Sequence, residues 1–399
     1  MERRSERAGA DPEEPVLVLN AGSSSLKAAV RPQGRRALVE RIGAPEGARI
    51  RTDDEPSRPV SAPDVATALD RVLDAWDADA TLERIRCVGH RVVHGAERFV
   101  APTVLDDAVL DALHAAASLA PLHLPGNLAG IEAARARLPL PTHVAVFDTA
   151  FHARLPRRAY LYPLPLRLYR DRGIRRYGFH GTSHDVVSER AATRIGRDRS
   201  ELRIVTLHLG NGASAAAVDR GRSVDTTMGF TPMEGLMMGT RSGDVDPGIV
   251  LHLAREGAST EAIDALLNRE SGLLGLSGVS NDVRDVRAAA EAGNDAALAA
   301  LEVYAYRVAQ AVAKMAVAMN GVDLIVFTGG VGENDARLRA EAAAHLGFLG
   351  VHLDPDRNRS NGPVLSAEEA TVACVVEPTD EEGRIAELAR AASGGGARA

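Results

Sequence analysis

VLVLNAGSSSLKAAV, Val16–Val30, and IVTLHLGNGASAAAV, Ile204–Val218, share one pattern of strand, polar turn and returning strand. In the first copy Val16–Leu19 runs into the turn Asn20–Ser25 and returns as Leu26–Val30. In the second, Ile204–Leu207 runs into His208–Gly212 and returns as Ala213–Val218. The copies align without a gap at an offset of 204 − 16 = 188 residues, and five of fifteen positions match, the central glycine among them. Identity is low, but the shared order of elements predicts an internal duplication. A third related turn, Thr328–Asn334, follows the apolar run Leu324–Phe327 and leads into a helical pattern over Asp335–Leu346. A strand, a glycine turn and a helix start together make a natural seat for an anion or nucleotide.

Between these strands the apolar spacing predicts helices over Pro63–Ala80, Asp106–Ala120, Asn127–Leu138, Ser183–Ile195, Asp295–Asn320 and Glu381–Ala391. Strands alternating with helices in two duplicated halves predict an α/β protein with mixed sheets and a cleft between two domains. The boundary is expected near Asp148–Arg157, giving domains over 16–150 and 151–380. The last helix, 381–391, is a candidate to complete the first domain. Residues 1–15 and 393–399 read as disordered polar tails.

The net charge of −7 offers nothing to a nucleic-acid backbone, so anionic substrates would need locally concentrated positive charge. No apolar run approaches the ~18–20 residues of a membrane span, and the charged N-terminus is unlike a secretory signal. Cys87 and Cys374 are too few for a disulfide framework, and a reduced cytoplasmic setting is expected. Of 47 basic residues only Lys27 and Lys314 are lysines, which singles out the lysine beside the first turn.

Several segments carry candidate chemistry. The hydroxyls and the ammonium of Asn20–Lys27 suit phosphate oxygens, although an ordinary hairpin is the plain alternative. Gly89–Gly95 alternates with a strand period, placing Arg91 and Val93 on one face. An arginine there needs an anion, and a small carboxylate with an alkyl tail would satisfy both residues. His180 precedes a helix start at Ser183 and could be no more than a loop histidine. A zinc site at His180 and His184 lacks a third nearby ligand and is not expected. Arg241 lies in Gly239–Asp244 between glycines, where a solvated turn is the plain reading. Asp148 ends the run Val144–Phe147, and Glu381 opens the last helix; oxygens of this type suit Mg²⁺ held with ATP phosphates.

VLNAGSSSLK, GHRVVHG, RRYGFHGTSH, HLGNGAS, GFTPMEGLMMGTRSGD, FTGGVGEN and EPTDEE, in this order, resemble the acetate kinase family from about Val16 to Ala391. That family belongs to the superfamily of acetate and sugar kinases, heat-shock chaperones and actin. The resemblance implies two duplicated actin-like (ribonuclease H-like) domains around a nucleotide cleft, and a homodimer. It implies reversible, Mg²⁺-dependent transfer of a phosphoryl group from ATP to acetate, giving acetyl phosphate and ADP, with Mn²⁺ as a substitute metal. A propionate or other short-chain acyl kinase is the near alternative, and a non-metabolic actin-like nucleotide switch the distant one.

Carried over by position, Asn20 and Glu381 are the expected metal residues, and Arg91 the expected substrate-carboxylate ligand. Asp148, His180 and Arg241 are expected to be catalytic. Val93, Leu122, Phe179 and Pro232 would line the substrate pocket. Lys27, His208, Leu209, Gly210, Asn211, Gly212, Asp282, Val283, Arg284, Gly330, Val331, Gly332, Glu333 and Asn334 would bind ATP. The family labels Asp148 a proton donor or acceptor. A carboxylate nucleophile has no proton to lose at pH 7, so the chemistry favours electrostatic positioning by Asp148 instead. Four positions depart from the family's usual residues: Ala96 for a glycine, Leu124 and Gly126 in a segment often reading His-Asn-Pro-Ala-Asn, and Val283 for a bulkier side chain.

Overall fold

The computed structural model describes residues 14–76, 82–120 and 123–395. The chain divides into two units: one runs to Ala150 and resumes at Asp380, and the other is Phe151–Thr379.

In the first unit the described residues form one eight-stranded sheet. Its strands are β1 (Val16–Ala21), β2 (Ser25–Arg31), β3 (Arg35–Glu40), β4 (Ala48–Thr52), β5 (Arg58–Val60), β6 (Cys87–Val92), β7 (Thr103–Val104) and β8 (Thr142–Phe147). The spatial order is β5-β4-β3-β2-β1-β6-β8-β7, with β1, β6 and β8 parallel and β1–β2–β3 antiparallel. These central strands are apolar on both faces because both faces are covered. Leu17, Leu19 and Val88 pack with Leu69, Leu73 and Trp76 of the helix Val65–Trp76. Val16, Val18, Val144 and Val146 pack on the other side with Ile385, Ala386 and Ala389 of the helix Glu381–Gly395.

In the second unit β9 (Arg203–Leu209), β10 (Ala213–Asp219), β11 (Arg222–Thr226), β12 (Leu324–Thr328) and β13 (Ala373–Val376) form a sheet of order β11-β10-β9-β12-β13. β9 pairs antiparallel with β10 and parallel with β12. The order and directions repeat β3-β2-β1-β6-β8, so the duplication read at Val16 and Ile204 extends over five strands of each sheet. The fold is a duplicated α/β class built on two mixed sheets. The helix Gly181–Arg194 covers one face through Val186, Val187 and Ala191 against Ile204, Val218, Leu324 and Val326.

Several element limits differ from the sequence reading. Thr328–Asn334, expected as a turn, holds the short helix Gly329–Asn334, and the helix expected over Asp335–Leu346 follows as Ala336–Ala344. The helix expected from Asn127 starts at Leu124, with Pro125 in its first turn, where its missing N–H costs nothing. The last helix reaches Gly395, so Ser393–Gly395 are helical where a tail was expected. Residues 1–13 and 396–399, also expected as tails, lie outside the described residues, as does the end of the helix expected to reach Ala80.

Candidate active site

Strand periodicity assembles the candidate residues of the first unit. Val16, Val18 and then Asn20 alternate onto the face under the helix Glu381–Gly395, as do Val144, Val146 and then Asp148. Each polar residue thus takes over an apolar row at the carboxyl end of its strand. Lys27 stands opposite Asn20 across β1 and β2, on the same face, and is exposed. Arg91, near the end of β6, donates from Nε and Nη2 to Asp148 at 2.9 and 2.6 Å. Its Nη1 reaches Asn20 Oδ1 at 3.4 Å, and Glu381 comes within 3.7 Å of Nε. Burial works against the Arg91 charge, but the Asp148 and Glu381 carboxylates outweigh it and hold its pKa above the usual arginine value. The anion that the sequence demanded for Arg91 is supplied by the chain itself.

In the second unit Ile204, Thr206 and His208 alternate onto the face of the helix Gly181–Arg194, and Ser214 pairs with His208 across β9 and β10. The register 204 − 16 = 188 makes His208 the counterpart of Asn20. His180 caps the helix in the left-handed region, at φ 57°. Its Nδ1 lies 2.8 Å from Ser214 Oγ, which lies 2.8 Å from His184 Nε2; His184 Nδ1 in turn lies 2.7 Å from Thr206 Oγ1. Ser183 Oγ bridges His208 Nδ1 at 2.8 Å and Thr379 Oγ1 at 3.0 Å. Burial, with His152 and His208 nearby, pushes the His184 pKa well below its usual value.

Arg241 is held differently from Arg91. Its Nη1 donates to the Pro232 carbonyl at 2.5 Å, and among the described residues no carboxylate lies within ion-pair distance. Burial alone lowers its pKa. A Cβ added at Gly212 would lie 2.6 Å from Arg241 Nη2 and 3.5 Å from His180 Cε1, so only glycine leaves this place open. Arg241 and His180 therefore converge on one point of backbone.

Beside it lies a cavity of about 710 Å³. Gly210 and Asn211, Asp282–Arg284, and Gly330, Val331 and Asn334 line it, so three distant segments expected to bind a nucleotide meet around one space. Asp282 accepts from the Arg284 backbone N at 2.9 Å, opening the helix Val283–Glu291; hydrogen bonds from the Arg284 side chain and backbone depress its pKa to about 2. Other expected nucleotide residues serve the frame. Leu209 and Gly332 are buried, and Glu333 Oε1 accepts from the Gly329 N–H at 2.9 Å.

A family model described as the acetokinase family matches residues 15–387. An acetate kinase of Deinococcus radiodurans is 49% identical over 386 residues, covering 93% of this chain and 96% of that one. The crystal structure of Porphyromonas gingivalis acetate kinase matches with a TM-score of 0.89 at 41% identity, over 95% of this chain and 100% of that chain. A propionate kinase from Francisella tularensis matches with a TM-score of 0.90 at 36% identity, over 94% of this chain and 98% of that chain. The chain belongs to the acetokinase family.

Against the acetokinase pattern, each departure has a location. Ala96, where a glycine is usual, sits at φ 52°. Leu124 is fully buried among Val92, Leu128 and Phe147, so it shapes the core and not a substrate mouth. Gly126 lies against the first turn: a Cβ there would stand 2.8 Å from Gly22 C and 2.9 Å from Ser23 N. Val283 is buried at the cavity wall. Leu122 lies outside the described residues; Val93 and Pro232 are half-buried and Phe179 is buried.

Sequence reasoning missed three supporting residues. Asn127 accepts from the Val93 backbone N at 2.9 Å and donates to Ala21 O at 2.5 Å, tying two of the strand ends together. Arg339 is fully buried and donates to the Gly332 and Glu333 carbonyls at 2.9 and 3.0 Å, closing the end of the helix Gly329–Asn334. Arg287 lines the cavity and pairs with Asp335 at 2.9 Å. Their sequence signal was an arginine or asparagine in a helical pattern, which usually means a solvated face.

Proposed function

We propose that the chain catalyses reversible phosphoryl transfer between ATP and acetate, giving ADP and acetyl phosphate. The observation that carries this reading is Arg241: a half-buried guanidinium without a carboxylate partner among the described residues, beside His180 and Gly212, two residues along the chain from Gly210 of the nucleotide cavity's lining. A half-buried cation with no counter-charge carries a desolvation cost that an incoming anion offsets.

In this reading an acetate oxygen attacks the γ-phosphorus in line, a new P–O bond forms, and the bond to the β-phosphate oxygen breaks with ADP taking the electron pair. Arg91 orients the acetate. Arg241 and His180 contact the equatorial oxygens of the moving group, where charge is spread. Lys27 reaches the ATP phosphates. Val93, Phe179 and Pro232 bound the alkyl group.

The donors expected for a metal fit magnesium. Asn20 Oδ1 and the Glu381 carboxylate are hard oxygens, and among the described residues no group of three or more His, Cys, Asp or Glu could hold a metal alone. Asn20 and Glu381 would therefore hold Mg²⁺, or Mn²⁺, jointly with nucleotide phosphates. The ion would supply Lewis-acid neutralisation of phosphate charge.

The protein is proposed to work in the cytoplasm as a homodimer. Supporting a partner surface, the helices Pro247–Arg255 and Thr260–Arg269 bury none of their residues, and Val245, Ile249 and Leu251 are exposed. Sedimentation of wild type and Ile249→Asp tests this.

The similarity to a propionate kinase keeps a second reading open, with propionate as the better acid. Trapping acyl phosphate as hydroxamate with acetate, propionate and butyrate separates the two. One methylene is worth only ~1–3 kcal/mol, so acetate should lead propionate by ~10–200-fold at most. Equal or better kcat/KM with butyrate overturns the assignment.

A further inference from the structure

We propose that Ser214, His184 and Thr206 are positioning residues for His180, forming a hydrogen-bond relay that presets which imidazole nitrogen carries the proton. The inference rests on the phosphoryl-transfer reading and assigns work to three buried groups outside the expected site.

Thr206, His184 and Ser214 are all fully buried. Three hydrogen bonds of 2.7, 2.8 and 2.8 Å link them in line to His180 Nδ1. Thr206 Oγ1 and Ser214 Oγ have no other hydrogen-bond partner among the described residues. A hydroxyl has one proton, so Ser214 cannot donate to both imidazoles, and accepting from both would leave its own buried proton without a partner; the favoured arrangement is a line that points one way throughout. In one direction Thr206 donates to His184 Nδ1, His184 Nε2 donates to Ser214, and Ser214 donates to His180 Nδ1. The proton of neutral His180 then sits on Nε2. In the other direction every bond is reversed and Nε2 bears a lone pair.

The anion decides between the two. Arg241, converging with His180 on Gly212, draws negative charge to this point. An anionic oxygen accepts a hydrogen bond and is repelled by a lone pair, so it selects the direction that ends in Nε2–H. Burial keeps His184 neutral, with one donor and one acceptor nitrogen, as the relay requires. No charge enters the dry interior. His180 thus meets the phosphoryl oxygens as an oriented donor, its ring held at Nδ1 and its tautomer fixed.

The test uses the full chain labelled with ¹⁵N-histidine, with the His180 signals identified by their loss in His180→Asn. With ATP added, wild type should show Nε2–H at His180. Ser214→Ala should show mixed tautomers and lower kcat about 10–100-fold, with KM for ATP and acetate little changed. Ser214→Thr, which keeps the hydroxyl, should restore both readouts. Thr206→Val removes the far end at constant shape and should lower kcat in the same direction; it decides the case if Ser214→Ala fails to fold. A wild-type spectrum with Nδ1–H at His180, or kcat within twofold of wild type in both Ser214→Ala and Thr206→Val, overturns the relay. Absence of acyl phosphate with wild type would defeat the functional reading instead, and the tautomer measurement would still decide the relay.

Discussion

Arg91 and Asp148 meet through two parallel hydrogen bonds, Nε to Oδ1 at 2.9 Å and Nη2 to Oδ2 at 2.6 Å. Among the described residues Arg241 has only the Pro232 carbonyl. The two arginines should therefore differ in what their loss does to the fold. Arg91→Gln takes the bidentate guanidinium away from Asp148, only 1% exposed, and should cost about 3–5 kcal/mol. Arg241→Gln removes a charge that burial already disfavours, so stability should stay level or rise. Both should lose turnover, Arg241→Gln by about 10²–10³ in kcat. Urea unfolding beside the hydroxamate assay checks the pair; equal destabilisation by both substitutions would contradict the contrast.

Ala96 occupies the left-handed region at φ 52°, where its Cβ is crowded by backbone. That cost is about 1–2 kcal/mol, partly offset because alanine restricts the unfolded chain more than glycine does. Ala96→Gly should consequently be neutral to slightly stabilising, by up to about 1 kcal/mol. A loss of more than that in urea unfolding would mean that the methyl packs usefully enough to outweigh the strain.

The duplication, Arg91 and Asp148 were legible because they rest on local periodicity, whereas Arg241, in a segment that reads plainly as a solvated turn, was pointed to only by the family resemblance. Val16–Val30 and Ile204–Val218 repeat as continuous segments, and Arg91 and Asp148 fall at strand ends where period two fixes their face. The short helix Gly329–Asn334 was not legible: three of its six residues are glycines, which oppose helix formation, and Arg339 closes it from outside. The relay was hidden for another reason. Ser214 sits in the small-residue strand Ala213–Asp219, and only the pairing of β9 with β10 beside the helix Gly181–Arg194 brings Thr206, His184 and His180 to it.

Buried histidines give the second unit an acid limit. Burial holds the His152 pKa at about 4 against an ordinary 6.5, although its bond to the Phe179 carbonyl raises it somewhat. Because the folded value is the lower one, the unfolded chain takes up the proton first as pH falls. This contribution is complete above pH 6.5 and is lost between 6.5 and about 4, amounting to roughly 3 kcal/mol. His184 is depressed by the same cause and adds in the same direction. Melting temperature should fall from about pH 6.5 to 5, above the range where most carboxylates titrate. His152→Gln should flatten that slope; an unchanged slope would show that other groups set the limit.

Asp148 is the residue for which family label and geometry diverge. A base needs an oxygen directed at the proton it removes. Here both Asp148 oxygens face Arg91, at 2.9 and 2.6 Å, and its backbone N–H is held by the Val92 carbonyl at 3.0 Å. Acetate, with a carboxyl pKa near ~4.3, is already ionised at pH 7 and offers no proton. Asp148 is placed to hold the Arg91 fork, with Glu381 3.7 Å from the same guanidinium. On this account Asp148→Asn keeps the shape but loses the charge-assisted pair. KM for acetate should rise and kcat should fall, because Arg91 is no longer oriented. Asp148→Glu, which keeps the charge at a longer reach, should recover part of both. The pH profile of kcat, at saturating metal and acid, separates orientation from proton transfer. An Asp148 that holds Arg91 predicts the same profile shape in wild type and Asp148→Asn, with no solvent isotope effect on the transfer step. An ionisation present in wild type and absent in Asp148→Asn, together with a solvent isotope effect, would make Asp148 the base and remove the positioning account.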